Sequence, residues 1–315
     1  MSALDAGPVR PFGSTLRFVR ATKWFGSVAA LMDVSFEVGG EVVGLVGRNG
    51  VGKSTLMKLA AGLLRPSQGE VRIGEHPAGS RAARARVGFC ADIDRFVEHS
   101  TPHRFLTGLL RYQGLGSRVA KDRAAAVLAD VDLAEHMHRR LGALSKGMRQ
   151  RVRLAQALAH EPELVLLDEP MTGLDPVARS EVAAIIRRLP ASGVGVLVSS
   201  HVLHELEAIV DRVVLVHQGR LLAQGKVGEL RKQLPEQAHR VRVGGARARE
   251  LAATLVAWPQ VAGVKVEDGG VIVEVGAAPG FYEALTALGA EWRDGIDAIE
   301  PLDDDLASVF GYMIG

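Results

Sequence analysis

Gly47-Arg48-Asn49-Gly50-Val51-Gly52-Lys53-Ser54, followed by Thr55, is the stretch that decides the fold of this 315-residue chain. It fits the phosphate-binding pattern G-x-x-x-x-G-K-[ST]. The three glycines Gly47, Gly50 and Gly52 let the backbone curl so that its N–H groups converge on phosphate oxygens. Lys53 adds a point charge that reaches the β- and γ-phosphates, and the Ser54 hydroxyl is a hard oxygen ligand suited to Mg²⁺. Upstream, Glu41 to Val46 reads as a buried strand; downstream, Ser54 to Ala60 reads as a helix. The motif needs that context, because a helix N-terminus adds a favourable dipole and free N–H groups. The plainer alternative is a glycine-rich turn in a βα unit. A dinucleotide fold fits less well, since its fingerprint does not call for the Lys-Ser pair.

A second chemical feature lies downstream. Leu164-Val165-Leu166-Leu167 ends in Asp168-Glu169-Pro170. An apolar strand closing on two carboxylates is what a nucleotide hydrolase needs opposite its phosphate loop. Asp168 can hold Mg²⁺ through water, and Glu169 can polarise the attacking water. Two solvated carboxylates at a strand end would be the bland reading, but it leaves the upstream loop unexplained.

Apolar residues make up 47% of the chain and charged residues 23%, so a packed core is expected and disorder is not. The net charge of +2 argues against a long nucleic-acid-binding surface, and no nucleic acid is expected as a partner. Cys90 is the only cysteine, so no intrachain disulfide can form, as suits a reducing cytosol. Within Val87-Gly88-Phe89-Cys90 it reads as a small core residue. No run approaches the roughly 18 apolar residues that would span a bilayer, and Met1 to Pro11 lacks the apolar centre of a signal peptide. If the protein works at a membrane, another chain supplies the spanning part.

The remaining pattern is that of an α/β protein. Residues 1–14 read as a loose lead-in. Leu16 to Arg20 and Ser35 to Val38 read as hairpin strands, and Gly69 to Gly74 and Val87 to Cys90 as further strands. From about 95 to 160 the period turns helical. Ala124, Ala125, Val127, Leu128, Val131 and Leu133 mark one apolar stripe, and Val152, Leu154, Ala155, Ala157 and Leu158 a second. Leu164–Leu167, Gly195–Val198 and Val213–Val216 are continuous apolar runs suited to a parallel sheet covered on both faces. Helices at about 178–189 and 202–209 separate them, as crossovers require. A boundary falls near 230–238. Beyond it, alternating and helical stretches follow the order β-α-β-β-α-β of a ferredoxin-like unit. Asp303-Asp304-Asp305 then opens a last helix bearing Leu306, Val309, Phe310 and Met313. Those aspartates read as helix-start charges in preference to a metal cluster. His136 and His138 read as surface residues.

With both motifs in place, the chain resembles the nucleotide-binding subunits of ABC transporters over roughly residues 15–230. Leu144-Ser145-Lys146-Gly147-Met148 stands where the family carries its LSGGQ signature, and Gly173-Leu174-Asp175 matches the D-loop. His201, after Ser199-Ser200, matches the switch histidine. Phe25, in Lys23-Trp24-Phe25-Gly26, matches the aromatic that stacks on adenine, with Trp24 as the alternative ring. The signature helix is expected to begin near Gly147 and to present N–H groups and the Ser145 hydroxyl to a γ-phosphate. Two departures stand out. Asp92 occupies the place of the usual Mg²⁺-touching Gln, and Lys146 and Met148 replace a Gly and a Gln.

The resemblance implies an α/β P-loop hydrolase of the ABC type. Its parts are a RecA-like mixed sheet core, an antiparallel β-subdomain and a helical subdomain, plus a small C-terminal α+β ferredoxin-like domain over 239–315. It implies ATP and Mg²⁺ as cofactors, with the loop from Gly47 to Thr55 and Phe25 on the nucleotide. Ser54, Asp168 and Asp92 would serve the metal, and Glu169 and His201 catalysis. Ser145, Lys146, Gly147, Met148 and Asp175 would serve a dimer contact. It further implies a homodimer, or a dimer with a similar ATPase, docked on an integral membrane permease subunit at the cytoplasmic face. The expected work is transport, in the export direction. The alternatives are a soluble ABC ATPase of DNA repair or ribosomes and a module that holds ATP without turnover. Repair ATPases carry long heptad arms and ribosome-associated ones two such domains, neither of which is present here; Glu169 and His201 speak against a silent module.

Overall fold

The computed structural model describes residues 16–48, 50–92, 95–232, 239–276, 280–292 and 295–302. The chain divides into two compact units, the first ending at Gly225 and the second beginning at Lys226. The lead-in expected over 1–14 and the helix expected from Asp303 lie outside the described residues.

The first unit opens with β1 (Leu16–Phe25) and β2 (Val28–Val38), an antiparallel pair. The strands run well past the expected Leu16–Arg20 and Ser35–Val38. Positive φ at Arg20 and Asp33 and several register shifts break the alternation there without ending the pairing. β3 (Val42–Val46) feeds α1 (Lys53–Ala60). β4 (Gln68–Ile73) and β5 (His76–Pro77) complete a four-stranded antiparallel sheet in the order β2-β1-β4-β5. Its apolar face, with Phe18 stacked on Phe36 at 4.6 Å, shares one core with Leu56, Met57 and Leu59 of α1.

A short α2 (Arg81–Arg84) precedes β6 (Val87–Cys90). The helical stretch follows as α3 (Pro102–Tyr112), α4 (Ser117–Asp130) and α5 (Lys146–Leu158). Thr101 caps α3 by accepting from the Arg104 N–H, with Pro102 in the first turn. Val131 and Leu133, expected on the α4 stripe, are fully buried but lie beyond the helix. Asp132 adopts φ +57°, and the Leu133 N–H returns to the Leu128 carbonyl at 2.8 Å, so a left-handed turn closes the helix.

The chain then alternates: β7 (Leu164–Asp168), α6 (Pro176–Arg188), β8 (Gly195–Ser200), α7 (Leu203–Glu207), β9 (Arg212–His217) and β10 (Arg220–Gly225). The second sheet has the order β10-β9-β3-β8-β7-β6, parallel except for the edge strand β10. β3, β7 and β8 are buried along their whole length, as strands covered on both faces must be. The consequence for function is geometric. The segments leaving β3, β6, β7 and β8 emerge from one edge of a parallel sheet, where α/β proteins place their ligands.

The second unit holds α8 (Val227–Lys232), β11 (His239–Gly244), α9 (Ala248–Leu255), β12 (Val261–Glu267), β13 (Gly270–Val275), α10 (Phe281–Glu291) and β14 (Ala298–Pro301). From β11 on, the strands form an antiparallel sheet in the order β12-β13-β11-β14, the ferredoxin-like arrangement. Val241, Val243, Val271 and Val273 on one sheet face bury Leu251, Leu255, Phe281 and Leu285 from the two helices.

Candidate nucleotide-binding site

The loop after β3 turns on glycine. Gly50 and Gly52 take φ of +82° and +111°, and a Cβ on Gly52 would meet the Ala30 carbonyl at 2.9 Å. Gly47 serves the loop differently from the curl expected of it. Its φ is not left-handed, and the constraint is room, since a Cβ there would lie 2.5 Å from the Val216 carbonyl. The Gly219 N–H of the β9–β10 turn donates to the Val51 carbonyl, bracing the loop from behind. Lys53 is 6% exposed, and its ammonium donates to the Gly47 carbonyl at 2.6 Å and more weakly to that of Arg48. Asn49 lies outside the described residues.

A cleft of about 490 Å³ opens on this loop. Gly50, Gly52, Lys53, Ser54 and Thr55 line it from one side, and Asp92, Glu169, Thr172 and His201 from the other. Glu169 is the hub. One carboxylate oxygen lies 3.6 Å from Lys53 Nζ. The other accepts from the Thr172 hydroxyl at 3.0 Å and sits 2.7 Å from His201 Nδ1. Glu169 itself is held at φ +51°, an uncommon conformation for a side-chain-bearing residue. Ser199 fixes it: its hydroxyl donates to Asp168 Oδ1 at 2.8 Å and accepts from the Glu169 N–H at 3.0 Å. Ser199 is fully buried. Asp168 is also buried and stands behind the described lining of the cleft, reached through Ser199.

Comparison with known proteins decides the family. The family described as "ABC transporter" matches residues 31–172. The uncharacterized ABC transporter ATP-binding protein YxlF of Bacillus subtilis is 39% identical over 206 residues, 65% of this chain and 68% of that protein. The daunorubicin/doxorubicin resistance ATP-binding protein DrrA of Streptomyces peucetius is 32% identical over 278 residues, 88% of this chain and 81% of that one. The chain is an ABC transporter ATP-binding subunit. The Nod factor export ATP-binding protein I of Bradyrhizobium diazoefficiens is 36% identical over 211 residues, 66% of this chain and 69% of that one. A solved ATP-binding subunit of an ABC transporter superposes with a TM-score of 0.62 at 30% identity, covering 69% of this chain and 92% of that structure. Family membership makes the protein an ATPase coupled to transport, not a repair or ribosomal ATPase.

Other expected residues of this ABC ATPase lie apart from the cleft. Phe25 is not among its described lining; it stands half exposed at the end of β1, with the Lys23 ammonium 5.2 Å from its ring centre. The signature helix starts at Lys146, one residue before the expected Gly147, because Ser145 caps it by accepting from the Met148 N–H at 3.2 Å. That bond uses an oxygen lone pair and leaves the Ser145 O–H able to donate elsewhere. Gly147 gives α5 room against Ala178 of α6, and the Lys146 ammonium lies against Gly173. Asp175 caps α6, accepting from the Ala178 N–H at 2.9 Å. Residues 145–148 and 175 are not among the described lining of the cleft.

Cys90 is the buried residue expected, its sulfur accepting from Gln150 Nε2. Burial above all pushes the thiol up to about 11, which makes it a poor nucleophile. Two residues escaped the sequence reading: Ser199, quoted there only as a neighbour of His201, and Thr172. Nothing local marks Ser199, whose role arises because β8 lies beside β7 with Asp168 opposite it.

Proposed function

We propose that this subunit works as a head-to-tail dimer that closes on two ATP molecules and powers export through a separate membrane permease at the cytoplasmic face. One observation carries the reading: a single cleft brings together the phosphate loop, Glu169 and His201, but not Ser145 to Met148. A second copy can bring its α5 N-terminus, with the Ser145 hydroxyl and free N–H groups, to the γ-phosphate. Lys53 and the loop amides from Gly47 to Thr55 grip the β- and γ-phosphates, and Phe25 stacks on adenine. The incoming phosphate competes with Glu169 for Lys53 and frees a carboxylate oxygen to accept from water. Thr172 and His201 hold the other oxygen, so the carboxylate is aimed for in-line attack. His201 also faces the γ-phosphate and steadies its developing charge. Asp175 and the signature residues form the seam between subunits.

The donor set at the loop suits Mg²⁺. Ser54 and Asp92 line the cleft with hard oxygens, and Asp168, buried behind it, can act through water. These three residues would hold the ion, which supplies charge neutralisation on the β- and γ-oxygens. Among the described residues no helix is long and apolar enough to cross a membrane, in keeping with a separate spanning partner. Export draws support from the export and drug-resistance names of two relatives. Phosphate release from Mg-ATP by the purified chain, and co-purification of a polytopic membrane protein, test the two halves. A chain that binds no adenine nucleotide would refute the first, and one that associates with no permease the second.

A further inference from the structure

Two segments of this molecule must act together if the proposed dimer is to hydrolyse ATP. One is the turn Gly173-Leu174-Asp175, which in that dimer would face the second subunit. The other is the segment after β8 that carries His201. A pair of side chains joins them. Arg179, on the first turn of α6, donates through Nη2 to the Leu174 carbonyl at 3.2 Å. Its Nη1 lies 2.9 Å from Glu205 Oε1. Glu205 sits on α7, four residues beyond His201, and its side chain is only 5% exposed. The next residue, Leu206, is fully buried near Gly44. α7 has five residues, so Glu205 has little helix of its own to hold it. A carboxylate buried this deeply needs a partner, and a planar guanidinium that forks between two acceptors supplies it with fixed geometry.

We propose that Arg179 and Glu205 are a positioning pair. They transmit the placement of the Gly173–Asp175 turn to α7, and so to the His201–Glu169 contact, making turnover depend on subunit closure. The inference rests on the dimer reading above. Neither residue touches the nucleotide in it, so their loss should slow turnover while ATP binding survives.

The experiment uses the full chain and three variants. Arg179→Lys keeps a cation against Glu205 but cannot fork to the Leu174 carbonyl as well. Glu205→Gln keeps an acceptor and loses the charge. Arg179→Met with Glu205→Leu replaces the pair, in which Glu205 is buried and Arg179 is 34% exposed, by unbranched and branched apolar side chains, removing the charge of the buried partner together with that of the cation facing it. Each is expected to keep the KM for ATP within about twofold and to lose kcat by about tenfold or more. The Met/Leu double variant should melt no lower than wild type and still turn over slowly. A merely structural pair predicts the same stability for that variant but a retained kcat. The inference is overturned if kcat stays within about twofold of wild type in the double variant, or if KM rises in step with the fall in kcat. It is equally overturned if that variant loses kcat only by failing to fold. Wild-type turnover with unaffected variants sinks the pair alone; a wild type without turnover sinks the dimer reading as well.

Discussion

Ser199→Ala is the substitution whose cost the structure lets one work out. The hydroxyl is fully buried and makes two bonds, donating to Asp168 Oδ1 at 2.8 Å and accepting from the Glu169 N–H at 3.0 Å. Removing it strips a hydrogen bond from a buried carboxylate and leaves a part-buried amide unpaired, each costing about 1–3 kcal/mol. Water entering the vacated space offsets part of this, so a total of about 3 kcal/mol is a fair expectation. For a unit of this size that lowers the melting temperature by about 6–12 °C. The kinetic effect should be larger than the thermal one suggests. Glu169 holds a φ of +51°, a state that costs about 1–3 kcal/mol and relaxes once its amide is released. A displacement near 1 Å of the carboxylate would lower kcat about 100-fold, with KM for ATP little changed because the phosphate loop is untouched. Phosphate release at saturating ATP and thermal melting of the same preparations give both numbers. A variant that melts several degrees lower yet keeps kcat within about threefold of wild type would refute the argument that Ser199 sets the Glu169 geometry.

The phosphate loop and the acid range offer further tests. A Cβ on Gly52 meets the Ala30 carbonyl at 2.9 Å, whereas a Cβ on Gly50 meets nothing within 4 Å. Both substitutions to Ala pay for a positive φ, about 1–3 kcal/mol, so Gly52→Ala should weaken ATP binding markedly more than Gly50→Ala; equal effects in titrations with a fluorescent ATP analogue would count against this loop geometry. Burial holds the His160 imidazole below its ordinary value of 6.5, although a hydrogen bond to the Val87 carbonyl pulls the other way. The unfolded chain therefore takes the proton first as pH falls, and the stability that neutral His160 contributes is whole above 6.5 and lost as pH falls from there through the lower folded-state value. His160→Gln should shrink the difference between denaturant midpoints at pH 7.5 and 5.5; an unchanged difference contradicts the assignment.

Much of this was legible because it is local. Gly47 to Thr55 and Leu164 to Glu169 carry their chemistry in contiguous residues, and the apolar runs of β3, β7 and β8 announce strands covered on both faces. What was missed depends on neighbours distant in sequence. Ser199 matters because Asp168 lies opposite it in the β7–β8 ladder, and Arg179 because α7 lies beside it. β10 gave no sequence signal, since its residues alternate between exposed and half-buried and none is fully covered. β1 and β2 outran their expected bounds because bulges blur a period of two while the pairing continues. α4 was extended through Leu133 because buried residues just past a left-handed closing turn keep an apolar pattern without the helix.

The central claim is that Glu169 cuts an ATP gripped by Lys53 and sealed by a second subunit. Glu169→Gln keeps the side chain's size and an acceptor for Thr172, but removes the base and the charge facing Lys53. Size exclusion of this variant with Mg-ATP should show a dimer that persists while phosphate release is abolished, and a monomer with ADP. A variant that stays monomeric with ATP and releases phosphate at the wild-type rate would contradict the account.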